Sequence, residues 1–348
     1  VEQNVAYGLQ RAWQAEQQNN DCAQYLLGKV YLKGELVEQD LAQAEALFEK
    51  ASAQGNSYAK YSLAKMHLAG QTSVSDEHKA IRLLKESAER SNMWAQYLLG
   101  KFFFRGEHTE KNLAEAERLL MASALQKNSQ AQYLLARLYL CEDGIPKDAE
   151  KALHWLNESA AQKNQYAQYQ LGKIYLEEDT KNIPVAIQYL TLAAKQKNQF
   201  AAYRLGKLYL AGEELPKNTE LALHYLKMAA DTGNQYAQYA LGKVYLIGKD
   251  VQQDKELAYD YFLKSAEQGN IYAAYFLEHW NDMPHPDLFL MATRLMRHLE
   301  HIIEENVAGR KSGGRRQGID RKLARKIRQK KIAQGHAVDD HEDMVQTQ

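Results

Sequence analysis

Apolar positions in this chain fall into two kinds of helical stripe that alternate along most of its length. In the segment opening at Ala23 (AQYLLGKVYLKGE), Ala23, Leu27 and Tyr31 follow i, i+4, i+8, the spacing of one helix face. In the segment opening at Ala152 (ALHWLNESAAQKN), Ala152, Trp155, Leu156, Ser159 and Ala160 mark a second face. The first kind recurs from Trp94 and Tyr236, the second from Ala44 and Ala222. Each pair predicts a helical hairpin. Pro146, Pro184 and Pro216 fall between the two halves and are expected in the interhelical turn, where helix breakers belong. Gly55, Gly233 and Gly269 close the second half and suit a left-handed C-cap.

The hairpins are one unit repeated. Tyr25, Tyr61, Tyr97, Tyr133, Tyr169, Tyr203, Tyr239 and Tyr275 are 36 residues apart except once, where the interval is 34. An asparagine stands five residues before each: Asn20, Asn56, Asn92, Asn128, Asn164, Asn198, Asn234 and Asn270. A period of this size means a stacked array in which each unit buries its apolar face against its neighbours. Gly28, Gly100, Gly172, Gly206 and Gly242 recur inside the first helix, and Ala64 and Ala136 take that place elsewhere. A mid-helix glycine costs about 1 kcal/mol against alanine, so the position is expected to demand smallness at a close helix–helix contact. The organisation read from the sequence is a truncated half-repeat over residues 1–20, seven hairpins over 21–270, a half-repeat with a capping helix over 271–308, and a tail over 309–348. In the cap, Leu288, Leu295, Leu299 and Ile302 are expected to cover the last repeat.

Composition adds little to the fold and more to the ends. Five prolines in 348 residues agree with a helical protein. Cys22 and Cys141 form no ligand or disulfide pattern, which places the expectation on a reducing, cytoplasmic setting. No stretch approaches the roughly 20 apolar residues of a membrane span, and no membrane attachment is expected. Net charge is zero, yet residues 309–331 carry eleven Arg or Lys against one acid, Asp320, leaving about +10. Residues 332–348 carry four acids and no base, about −4, so residues 1–308 are near −6. Such end-loading points to an arm with its own electrostatic partner.

The pattern Ala23, Leu27, Gly28, Tyr31, Gly34, Val37, Asp40, Ala44, Ala51, Gly55, Asn56 resembles the Sel-1-like repeat (SLR), a relative of the tetratricopeptide class. The resemblance covers roughly residues 8–280 and implies an all-α, right-handed α/α solenoid of tandem hairpins. The C-terminal segments FLMATRLMRHLEHIIEEN from Phe289 and IDRKLARKIRQKKIAQGHAVDDHED from Ile319 are similar to the tail of MobA/MobL-type plasmid-mobilisation relaxases of Gram-positive bacteria. That resemblance implies a nicking domain upstream of Val1; its metal motif and catalytic tyrosine are absent from these residues.

Two constellations carry candidate chemistry. Three residues before the signature tyrosine stands a second aromatic, Tyr58, Trp94, Tyr166, Phe200, Tyr236 or Tyr272; four after it stands a base, Lys29, Lys65, Lys101, Arg137, Lys173, Lys207 or Lys243, with His279 last. Together with Tyr61, Tyr97, Tyr133, Tyr169, Tyr203 and Tyr239 these share one helix face. By analogy with related helical repeats it lines a concave groove, suited to an extended acidic or aromatic peptide through apolar and cation–π contact. The alternative is that the aromatics pack between adjacent first helices and the lysines are solvated. The second constellation is the arm, with Arg310, Lys311, Arg315, Arg316, Arg321, Lys322, Arg325, Lys326, Arg328, Lys330 and Lys331, and an Ile319, Leu323, Ile327 stripe. It is expected to neutralise DNA phosphates; a protein-docking helix, an anionic membrane anchor and a solubilising tail are the alternatives.

His298, His301 and Glu305, and His336, Asp339, Asp340 and His341, have spacings compatible with a metal, but solvated surface residues are the plainer account and no metal or cofactor is expected. His154 and His224 occupy equivalent repeat positions rather than forming a catalytic pair, and no P-loop, HExxH, nucleophile elbow or dinucleotide fingerprint occurs. The function expected is an interaction scaffold, with no catalytic residues in this segment. An enzyme using the groove and a spacer that only oligomerises are the competing classes.

Overall fold

A computed structural model describes residues 2–141 and 148–282. The capping segment, the basic arm, both histidine–acid sets and Pro146 lie outside the described residues. Among the described residues the chain is all helical, with no strand. It divides into two compact units, residues 1–193 and 194–348.

The first unit opens with α1 (Glu2–Gln17). Helical pairs follow: α2 (Asp21–Lys33) with α3 (Leu41–Ala53), α4 (Ser57–Leu68) with α5 (Glu77–Glu89), and α6 (Met93–Arg105) with α7 (Leu113–Leu125). The pairs α8 (Ser129–Leu140) with α9 (Ala149–Ala161) and α10 (Gln165–Ile174) with α11 (Ile183–Lys195) complete the run. The second unit holds α12 (Gln199–Ala211) with α13 (Thr219–Asp231), α14 (Gln235–Ile247) with α15 (Lys255–Glu267), and α16 (Ile271–Glu278).

The signature asparagines start the first helices. Each is the N-cap, its Oδ1 accepting the N–H three residues on, at 2.9 Å for Ala23 on Asn20 and 2.9 Å for Ala237 on Asn234. This satisfies one of the orphan donors of a helix N-terminus. Asp40, Asp76, Asn112, Asp148, Asn218 and Asp254 cap the second helices in the same way. The residue before each signature asparagine is left-handed: Gly55 has φ 91° and Gly233 φ 92°, but Ser91, Lys127, Lys163 and Lys197 hold φ 60–66° without being glycine.

Two sequence expectations meet different outcomes. The mid-helix glycines do sit at close contacts: a Cβ on Gly242 would stand 2.8 Å from the Phe262 ring, and one on Gly172 would stand 2.6 Å from Leu190 Cγ. Pro184, expected in a turn, lies inside the first turn of α11. Asn182 caps that helix through the Val185 N–H at 3.2 Å, and proline is tolerated there because no N–H is required of it. The shortened turn before it is a single 3-10 turn, Glu178–Thr180.

The core of each unit runs between paired helices. In the first, Ala44, Phe48, Leu63, Leu84, Leu99, Leu120, Leu135, Leu156 and Leu171 are almost wholly buried. In the second, Phe262 and Phe276 stack at 4.8 Å, tying α15 to α16. Each fully buried Leu or Phe contributes roughly 1.5–3 kcal/mol.

Candidate protein-interaction face

Polar joints set the spacing of the first helices. Gln96, Gln132, Gln168 and Gln238, each just before a signature tyrosine, are buried. Gln96 Nε2 donates to Ala88 O at 3.2 Å, in the preceding hairpin, and its Oε1 accepts from Gln126 at 2.8 Å, at the end of its own. Gln132 does the same with Ala124 O at 3.1 Å and Gln162 at 2.7 Å. Ser87, Ser123 and Ser159 donate from the second helix to the carbonyl opening the first, each at 2.7 Å. These glutamines and serines each find a partner in another element: the glutamine-to-carbonyl bonds tie one hairpin to the next, and the serines tie the two helices of one hairpin. The sequence held a signal for them: Gln96 and Gln126, Gln132 and Gln162, and Gln238 and Gln268 all stand 30 residues apart.

On that frame the predicted aromatics meet between adjacent hairpins. Tyr25 packs on Tyr58 at 5.9 Å and Tyr133 on Tyr166 at 5.9 Å; in the second unit Tyr203 packs on Tyr236 and Tyr239 on Tyr272, each at 6.1 Å. These tilted contacts are of the kind aromatic rings prefer. Tyr133 and Tyr239 are 9% and 4% exposed, so they act in packing and offer a partner little surface. Tyr61, Tyr97, Tyr166, Tyr169, Phe200, Tyr203 and Tyr236 are half-buried. Tyr58 and Trp94 stand out at 49% and 39% exposed.

The bases are engaged as well. Lys65 Nζ lies 5.8 Å from the Tyr61 ring centre, Lys207 5.7 Å from Tyr203 and Lys243 5.0 Å from Tyr239, all cation–π distances. Arg137 lies over Phe104 at 6.0 Å. Burial, followed by the neighbouring Arg105 charge, pushes the Lys101 pKa below the usual ammonium range. Burial raises the phenol pKa of Tyr61, Tyr97 and Tyr133, so these rings are neutral near pH 7. Lys173 is half-buried. The face that emerges is a striped one, of neutral rings with cations folded over them.

Among the described residues no group of three His, Cys, Asp or Glu side chains comes together to hold a metal. Cys22 and Cys141 form no disulfide. Among those residues no helix is long and apolar enough to cross a membrane.

Comparison with known proteins places this geometry. The chain matches the family described as Sel1 repeat seven times, over residues 23–56, 57–92, 95–128, 129–164, 165–198, 199–234 and 235–270. A crystal structure of a Sel1 repeat protein from Oxalobacter formigenes is similar at 26% identity and TM-score 0.66, covering 80% of this chain and 82% of that one. A protective antigen of uropathogenic Escherichia coli strains, described as displaying an SLR fold, is similar at 26% identity and TM-score 0.70, over 80% of this chain. The match spans 60% of the length of that antigen. No match was found among curated proteins.

Proposed function

The chain belongs to the Sel1 repeat family, and from that membership we propose that it is a protein-interaction scaffold whose first-helix face takes an extended acidic or aromatic peptide. The observation that carries the reading is the exposure of Tyr58 and Trp94 on equivalent positions of adjacent hairpins, on the helices that also carry Lys65 and Lys101. Exposed aromatics flanked by cations are the residues that dominate binding when a partner covers them. A displayed library of short peptides panned against the full chain tests it. Enriched sequences should be rich in Asp, Glu and aromatics and should lose at least tenfold in affinity for a Tyr58→Ala, Trp94→Ala double variant. Equal binding to that variant contradicts the reading.

The charge of the tail supports a second partner. Eleven cations within residues 309–331 supply a segment able to displace counterions from DNA, and the setting proposed from the tail's resemblance to mobilisation relaxases is DNA processing. The proposal is that the array recruits protein and the arm holds DNA. Binding should be indifferent to sequence and fall steeply with salt, with a log–log slope near −0.9 per phosphate contacted. Removing the residues after Glu305 should abolish it; equal DNA binding by the truncated chain excludes the arm.

A further inference from the structure

One hairpin departs from the others at a buried position. Six residues after the signature tyrosine the other hairpins carry Tyr31, Phe103, Tyr139, Tyr175, Tyr209 and Tyr245, whereas the α4/α5 hairpin carries His67. His67 is 4% exposed, and its buried Nε2 has no hydrogen-bond partner. Its Nδ1 lies 3.1 Å from Thr72 Oγ1. The Thr72 hydroxyl has one proton and donates it to the Val74 carbonyl oxygen at 3.2 Å, so Oγ1 meets the ring as an acceptor. An Nδ1–H tautomer fits that contact, and in it Nε2 keeps a lone pair that only a donor can satisfy.

The ring lines a cavity of about 440 Å³ built from α3, the α4–α5 turn and the start of α5. Ala46 makes room for it: the matching position elsewhere holds Arg82, Arg118, His154, Gln188, His224 or Asp260. Three carboxylates, Glu45, Glu49 and Asp76, face one ammonium, Lys79. Glu45 holds the turn through Ser73 N–H at 2.9 Å and Ser73 Oγ at 3.2 Å. Glu49 takes Lys79 Nζ at 3.0 Å, and Asp76 caps α5 through the Lys79 N–H at 2.9 Å. The lining keeps an excess of negative charge, and Val74 lies exposed at its edge.

We propose that this cavity binds a guanidinium group, as carried by an arginine side chain, with one N–H donated to His67 Nε2 and the charge placed among Glu45, Glu49 and Asp76. A guanidinium is planar, always charged and weakly hydrated, so it brings both the donor and the charge the cavity calls for. The methylene stem of the arginine rests on Val74. The site owes nothing to the tyrosine–lysine face and stands or falls separately from it.

The test is nitrogen-detected NMR of the histidine rings in the full chain, titrated with N-acetyl-arginine amide. The free protein should show His67 as the Nδ1–H tautomer, and the probe should shift Nε2 saturably. N-acetyl-citrulline amide, of nearly the same shape but uncharged, should bind at least tenfold more weakly. His67→Phe restores the kind of ring found in the other hairpins and should remove binding without unfolding the chain. The proposal is overturned by an Nε2–H tautomer, by an unmoved Nε2 resonance, by an equal response to citrulline, or by unchanged affinity in folded H67F.

Discussion

Asn234 shows how much one polar residue carries in this repeat. Its side chain closes the N-terminus of α14 while it is itself buried. Asn234→Ala should cost about 1 kcal/mol, read as a lower urea midpoint, and Asn234→Ser should recover most of it. One residue upstream of each such cap the backbone is left-handed, which disfavours a side chain. Lys127, at φ 64°, occupies that place where other repeats use glycine. Lys127→Gly should therefore raise stability by roughly 0.5–1 kcal/mol, and a lower melting temperature would show that the lysine side chain offsets its strain. Two of the acidic caps, Asp76 and Asp148, link stability to pH. The Lys151 N–H, with the Lys151 side chain, holds the Asp148 carboxyl below the usual range, and the Lys79 N–H does so for Asp76. A depressed native pKa means stability that is complete above the ordinary carboxyl pKa and is lost as pH falls through the native value. Stability should decline below about pH 4, and Asp148→Asn should keep the cap while flattening that decline.

At the level of elements, the joints mix polar and apolar contacts: the glutamines donate to the hairpin before and accept from the end of their own, while rings such as Tyr133 and Tyr166 pack between hairpins. Gln132→Ala would leave the Ala124 carbonyl and the Gln162 amide without their partner, at about 1–3 kcal/mol. Adding Gln162→Ala should cost less than the sum of the two, since both remove one shared bond. Strict additivity in denaturant melts would show the rung to be incidental. The hairpins were legible in the sequence because Ala, Leu and Tyr recur at helical spacing, and the glycine contacts because only a demand for smallness explains a glycine that alanine can replace. The joints were harder to see, since Gln and Ser are ordinarily surface residues and only their 30-residue interval marks them. The asparagines were visible as a period, but their capping role shows only once the helix starts are placed. Pro184 misleads for a related reason: proline marks a turn and a first helical turn alike. Lysine four residues after tyrosine reads from the sequence as a peptide clamp or as a solvated charge; the contact of Lys65, Lys207 and Lys243 with the ring of their own repeat was in neither reading.

For the whole molecule, the proposed function makes repetition itself the device. A single hairpin offers a narrow stripe of ring and cation, and under the proposal an extended segment that meets more than one such stripe within a unit gains by their combination. Within the first unit the most exposed rings of the stripe are Tyr58 and Trp94, while Leu125 is exposed on a second helix, α7. Site-specific photocrosslinking separates the two surfaces. A benzoylphenylalanine is placed at position 58, 94 or 125, and the full chain is irradiated with a peptide enriched by panning. Adducts at positions 58 and 94, with none at 125, are the result expected of a scaffold that works through its first-helix face. Adducts at 125 alone would contradict it and move the interaction to the second helices.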